Sequence, residues 1–197
     1  MIDARGGYNL QVYGGDGDDT ILLTPNGGYA QHGTYFGVSG GAGDDLIIVE
    51  AATENTVMDP LKLTGGEGQD DFELTFDETI ETTRTYEDYD DEDYSVEKTV
   101  THAVRISYFQ PGSETVQLNL ELDDPSYEVA SATLTERYYS ITSPSGSEER
   151  EVTELLIRYE SPTEDPREII VEIDALGVTW DDITFVGDNV PSVLVPV

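Results

Sequence analysis

The sequence predicts an all-β chain: a short parallel coil of stacked β-turns, followed by an antiparallel β-sheet or sandwich that caps it. Three observations carry that expectation. A nine-residue glycine–aspartate pattern recurs at a nearly fixed period within the first 73 residues. Apolar and polar residues then alternate with period two, and no stretch shows a helical stripe. Composition divides at the same place, since 15 of the 19 glycines lie in residues 1–70. Two building principles therefore meet near Phe72–Phe76, giving a repeat region over 1–76 and an acidic β region over 77–197.

The repeats define the first region. GGDGDDTIL begins at Gly14, GGAGDDLII at Gly40 and GGEGQDDFE at Gly65, intervals of 26 and 25 residues. All read G-G-x-G-x-D-x-U-x, with Asp19, Asp45 and Asp70 sixth and the large apolar Ile21, Ile47 and Phe72 eighth. A strand-like alternation precedes each: Leu10 and Val12, Phe36 and Val38, Leu61 and Leu63. Degenerate copies stand at Gly6-Gly7 and at Gly27-Gly28, the latter midway between two full motifs. Each period reads as one full turn of a coil, two short strands and two bends. The Gly-Asp bends then stack on one edge, while the other edge, near Gly27 and Asn55, has lost the motif.

The spelling has a physical reason. Glycine permits the positive φ and close backbone approach of a tight bend. Such a bend exposes backbone carbonyls to the next turn, and the sixth-position Asp adds a carboxylate. Hard oxygen donors of this kind suit Ca²⁺, which takes six to eight of them. One bend cannot supply that number, whereas neighbouring turns can. A single segment of this kind is an ordinary Gly-Asp turn; three in register are a stack. A dinucleotide fingerprint fails because Thr20, Leu46 and Asp71 replace its third glycine. An EF-hand fails because Gly27 stands where its twelfth-position Glu belongs.

Residues 5–76 thus resemble the repeats-in-toxin (RTX, haemolysin-type) family, whose fold is a calcium-binding parallel β-roll. The resemblance implies a short parallel β-roll or β-helix with Ca²⁺ held between successive turns. Carried over, Asp19, Asp45 and Asp70 supply side-chain ligands, joined by backbone carbonyls of Gly14, Asp16, Gly40, Ala42, Gly65 and Glu67. Asp18 and Asp44 assist from the fifth position, where Gln69 departs from the acidic pattern. Family members commonly carry calcium on both edges. Only one edge keeps the motif here, so about two stacked sites are expected, between the turns at 14 and 40 and those at 40 and 65.

Beyond Asp71, strand-like runs follow at 72–76, 100–108, 116–122, 129–139, 152–159, 168–173 and 183–186. Turn signals separate them, among them QPGSE at 110–114 and SPTEDP at 161–166. The densest acidic run, YEDYDDEDY at 86–94, reads as a solvated loop or charged edge strand, a weak further calcium site, or a sugar-stacking face built on Tyr86, Tyr89 and Tyr94. His32 and His102 lie in different regions, and His102 falls on the apolar register of its strand as a core or edge residue. Trp180 is expected in the core. No H-E-x-x-H or cysteine nucleophile occurs, and two histidines are too few for a common zinc or triad site.

Charge bounds the partners. The chain carries 42 acidic and 9 basic residues, a net charge of -33, which argues against nucleic acid or an anionic membrane surface and toward cations. No apolar run approaches a membrane span. The start, MIDARGGYNL, has no basic region followed by an apolar stretch, and the acidic-then-apolar end resembles RTX proteins exported by type I secretion. The expected role is a calcium-induced folding module of a secreted bacterial protein, attached to a larger parent. The alternatives are a calcium-dependent polysaccharide-binding or adhesin module and a calcium-dependent enzyme acting on extracellular polysaccharide.

Overall fold

The computed structural model describes residues 1–5, 11–24, 37–50, 61–76, 100–143 and 146–195. The described residues contain strands and turns and no helix. Strands β1 (Ile2–Arg5), β2 (Gln11–Asp16), β3 (Thr20–Thr24), β4 (Gly37–Ala42), β5 (Leu46–Val49), β6 (Leu61–Glu67) and β7 (Asp71–Phe76) come first. They are followed by β8 (Val100–Ser107), β9 (Thr115–Leu120), β10 (Glu128–Ser143), β11 (Gly146–Glu160), β12 (Arg167–Ile173), β13 (Ile183–Val186) and β14 (Val193–Val195).

These strands form two sheets, and the chain alternates between them from β1 to β9. The first is six-stranded, in the order β1-β3-β5-β7-β9-β13. All its pairings are parallel. The second is eight-stranded, in the order β14-β10-β11-β12-β8-β6-β4-β2. It is parallel from β2 through β12 and antiparallel at β12–β11 and β11–β10. Gly-Asp segments carry the chain from β2 to β3, β4 to β5 and β6 to β7, always from the second sheet to the first.

The repeat period becomes a register. Ile21 aligns with Ile47, Ile47 with Phe72, Phe72 with Val116 and Val116 with Ile183. Ile21, Ile47, Phe72 and Val116 are fully buried. In the second sheet Val12, Val38, Leu63, Ile106 and Ile173 form the matching column, all buried. One continuous core cluster draws on both sheets. Period-two alternation places every second side chain in it, and each fully buried Ile, Leu or Phe contributes about 1.5–3 kcal/mol relative to exposure.

The expected antiparallel region is realised in part. The long β10–β11 hairpin and the β11–β12 pair are antiparallel, but β8 and β9 extend the two parallel ladders past residue 76. Alternation reports which face is buried and is blind to strand direction. The antiparallel strands continue the second sheet through the β12–β8 pairing, so no break in hydrogen bonding separates them from the parallel strands. Trp180 is half-buried against the core, its ring 6.2 Å from that of Phe185. No helix among the described residues is long and apolar enough to cross a membrane.

Candidate metal centre

The Gly-Asp turns stack as the repeats predict. Gly15 aligns with Gly41 and Gly41 with Gly66; Asp16 aligns with Ala42 and Ala42 with Glu67. Gly17 N donates to the Ala42 carbonyl at 2.6 Å, and Gly43 N to the Glu67 carbonyl at 2.8 Å. These third-position carbonyls therefore face a neighbouring turn and each keep a second lone pair. Gly41 has φ of 123°, and a Cβ there would collide with the Gly15 carbonyl, so only glycine lets the turns approach this closely.

The sixth-position aspartates stitch the stack together. Asp45 Oδ1 accepts from Asp19 N at 2.8 Å, and Asp70 Oδ1 accepts from Asp45 N at 3.0 Å. Each carboxylate thus reaches back one turn. The other oxygen lies over its own turn's first glycine, where a Cβ on Gly40 or Gly65 would meet Asp45 Oδ2 or Asp70 Oδ2. Asp45 is 2% exposed and Asp70 fully buried, and neither Oδ2 has a hydrogen-bond partner. Burial pushes both carboxyls above the usual range, against the lowering effect of the backbone donor. Neighbouring aspartates raise them further: Asp19, Asp18 and Asp44 around Asp45, and Asp45, Asp44 and Asp71 around Asp70. Asp19 is half-buried.

A second, exposed ladder runs beside it. Asp44 N donates to Asp18 Oδ1 at 3.0 Å, and Gln69 N to Asp44 Oδ1 at 2.9 Å. Gln69 takes part through its backbone, so its amide side chain leaves this rung intact. The side chains of Asp16 and Glu67 are exposed at the rim.

Sequence reasoning missed Glu114. The turn from β8 to β9, QPGSE, lacks the repeat's spelling, yet Thr115 pairs with Asp71, which puts Glu114 beside Asp70 in register. Glu114 is 2% exposed; its Oε2 accepts from Gln110 N at 3.0 Å, and its Oε1 is buried without a partner. Burial is the main cause that pushes its carboxyl up to about 7, with the charges of Asp70 and Asp71 adding to it and the Gln110 donors opposing. The available signal was an acid standing directly before an alternating strand, as in all three repeats. Asp182, before β13 on the same edge, is by contrast well supplied. Its carboxylate accepts from Gly112 N, Thr179 N and Thr179 Oγ1.

Cations of the chain itself lie elsewhere. Arg105 and Arg150 pair with Asp174, Arg150 also with Glu172, Arg137 with Glu154, and Arg158 with Glu160 and Glu168. Among the described residues none of the turn-edge acids pairs with Lys or Arg. Nor do three His, Asp or Glu side chains there converge into a set able to hold a metal by themselves. A cation on this edge would therefore need backbone carbonyls beside the carboxylates. Orphaned carboxylate oxygens, stacked carbonyls and no competing base fit a hard divalent ion.

The remaining expectations fall outside this edge. Gly27-Gly28, His32, Asn55 and the acidic run at 86–94 lie outside the described residues. His102 lies in β8, in register with Ile170 of β12. A shallow groove of about 150 Å³ on the second sheet is lined by Gln11, Tyr13, Val38, Ser39, Lys62 and Thr64. No protein-family model matches the chain, and no curated protein matches it.

Proposed function

We propose that this chain is a calcium-binding module of the repeats-in-toxin type, ordered by Ca²⁺ as part of a larger secreted bacterial protein. The observation that supports the reading most is the pair of buried, unpartnered oxygens, Asp45 Oδ2 and Asp70 Oδ2, on successive turns. An orphaned buried anionic oxygen costs several kcal/mol unless something pairs with it. Asp19, Asp45 and Asp70 would hold the ion together with carbonyls of the stacked turns, and a bound Ca²⁺ supplies the missing positive charge and links one turn to the next.

The turn edge does the rest. Its acids have no basic partners among the described residues, so they repel one another in the ion-free chain and oppose closure of the coil. Ligand that binds only the folded form stabilises it by RT ln(1 + [L]/Kd), about 2.7 kcal/mol per site at 100 times Kd. Two such sites contribute about 5 kcal/mol, comparable with the stability of a small domain. Extracellular calcium modules bind in the range of about 10⁻⁴–10⁻³ M. Such a module stays open at low cytosolic calcium and closes outside the cell.

Titration of Ca²⁺ into chelator-stripped protein, followed by far-UV circular dichroism, tests this. A strand signal that grows between micromolar and millimolar Ca²⁺ supports the reading. A spectrum already complete and indifferent to calcium overturns it.

One observation favours a second role, a polysaccharide-binding surface. Tyr13 is 68% exposed beside Ser39 and Thr64 in the shallow groove, an aromatic ring next to hydroxyls. Glycan binding that disappears in Tyr13→Ala and persists in Asp45→Asn would identify that surface.

A further inference from the structure

We infer that Glu114 and Asp70 form a third cation site, which closes the ladder beyond the last Gly-Asp turn and takes a hard divalent ion such as Ca²⁺. The inference rests on the calcium reading above and extends it to a turn without the repeat motif. Three observations carry it. Thr115 follows Asp71 in the parallel register, and Thr115 N reaches the Asp70 carbonyl as Asp71 N reaches that of Asp45 and Leu46 N that of Asp19. Glu114 therefore continues the column of Asp19, Asp45 and Asp70.

Its carboxylate is likewise satisfied at one oxygen only, although the donor belongs to its own turn and not to the preceding rung. One oxygen takes a backbone N–H, that of Gln110, and the other is buried with no partner. Asp70 Oδ2, on the adjoining turn, is likewise buried and unpartnered. Two orphaned anionic oxygens on adjacent rungs, with no Lys or Arg among the described residues pairing to either, call for a shared cation.

The third observation is what happens one turn later. Asp182 sits one position past the column, directly before Ile183, which aligns with Val116; it is 4% exposed, and both its oxygens are occupied by N–H and O–H donors. Protein donors satisfy the acid there and leave Glu114 Oε1 unsatisfied.

The test counts ions. Equilibrium dialysis with radioactive Ca²⁺ would be run on the full chain as wild type, Asp45→Asn, Glu114→Gln and Glu114→Asp, with circular dichroism in saturating Ca²⁺ as the folding control. Glu114→Gln keeps an oxygen for Gln110 N and removes the charge. We expect it to bind one ion fewer than wild type, the remaining affinities changing by less than about threefold. Glu114→Asp, which keeps the charge but draws it back by one methylene, is expected to weaken one ion about tenfold or more and serves where Glu114→Gln does not fold. Wild-type stoichiometry and affinity in a folded Glu114 variant would overturn the third site while leaving the repeat sites standing, provided Asp45→Asn loses ions. Absence of calcium binding by the wild-type chain would overturn both readings together.

Discussion

Asp45→Asn separates a ligand from a structural acid. Asp45 is 2% exposed, its Oδ2 has no partner, and Asp19, Asp18 and Asp44 surround it with like charge. Asparagine keeps Oδ1 as the acceptor for Asp19 N, held at 2.8 Å, and discards the buried charge. Without calcium the substitution should therefore raise stability by about 1–2 kcal/mol, or about 2–8 °C in Tm for a chain of this size. With calcium the sign reverses. Asp45 lies between two turns, so losing its charge weakens both inter-turn sites and removes up to about 5 kcal/mol at 100 times Kd. Thermal or urea unfolding in chelator and in millimolar Ca²⁺, wild type beside variant, reads both numbers. A destabilisation of equal size in the two conditions would refute the reasoning, because it would mean that Asp45 only stitches turns.

Three further outcomes follow from the same geometry. Glu114 has a folded-state pKa raised to about 7 from 4.5, so the fold binds its proton more tightly than the unfolded chain does. Its contribution favours folding below about pH 4.5 and is lost as pH rises through 7; the chelated wild type should lose about 2 kcal/mol over that window, after allowance for water near the turn, and Glu114→Gln should flatten the profile. Gly40→Ala places a Cβ against Asp45 Oδ2 and should cost about 2–3 kcal/mol and weaken calcium binding, whereas Gly37→Ala in the same strand meets nothing within 4 Å and should stay within about 1 kcal/mol. Phe72→Ala removes a fully buried ring lying 6.3 Å from Phe109 and should cost about 3–5 kcal/mol by urea unfolding.

The sequence made the repeat edge legible because each of its positions has one physical job. Ile21, Ile47 and Phe72, picked by spacing alone, are fully buried, and Asp45 and Asp70 stand where the sixth position puts them. The 25- and 26-residue periods reappear as the separations bridged by Asp70–Asp45 and Asp45–Asp19 hydrogen bonds. Strand direction was not legible after residue 76, because Val104 and Ile106 or Val116 and Leu118 alternate identically in parallel and antiparallel sheets. Glu114 was hidden for a different reason. Its turn uses Pro111 and Gly112 in place of the glycine pattern, and only the sheet register reveals that it extends the aspartate column.

The register of the parallel strands also has an entropic consequence. Successive rungs join residues 25 or 26 apart, while the step from Asp71 to Thr115 spans 44. Loop-closure entropy grows only as the logarithm of length, so that longer return adds about 0.5 kcal/mol over an ordinary rung. A stack whose contacts reach only the next rung behaves as a chain of nearest-neighbour terms. Insertions between rungs are then almost free, and damage to one interface stays beside it.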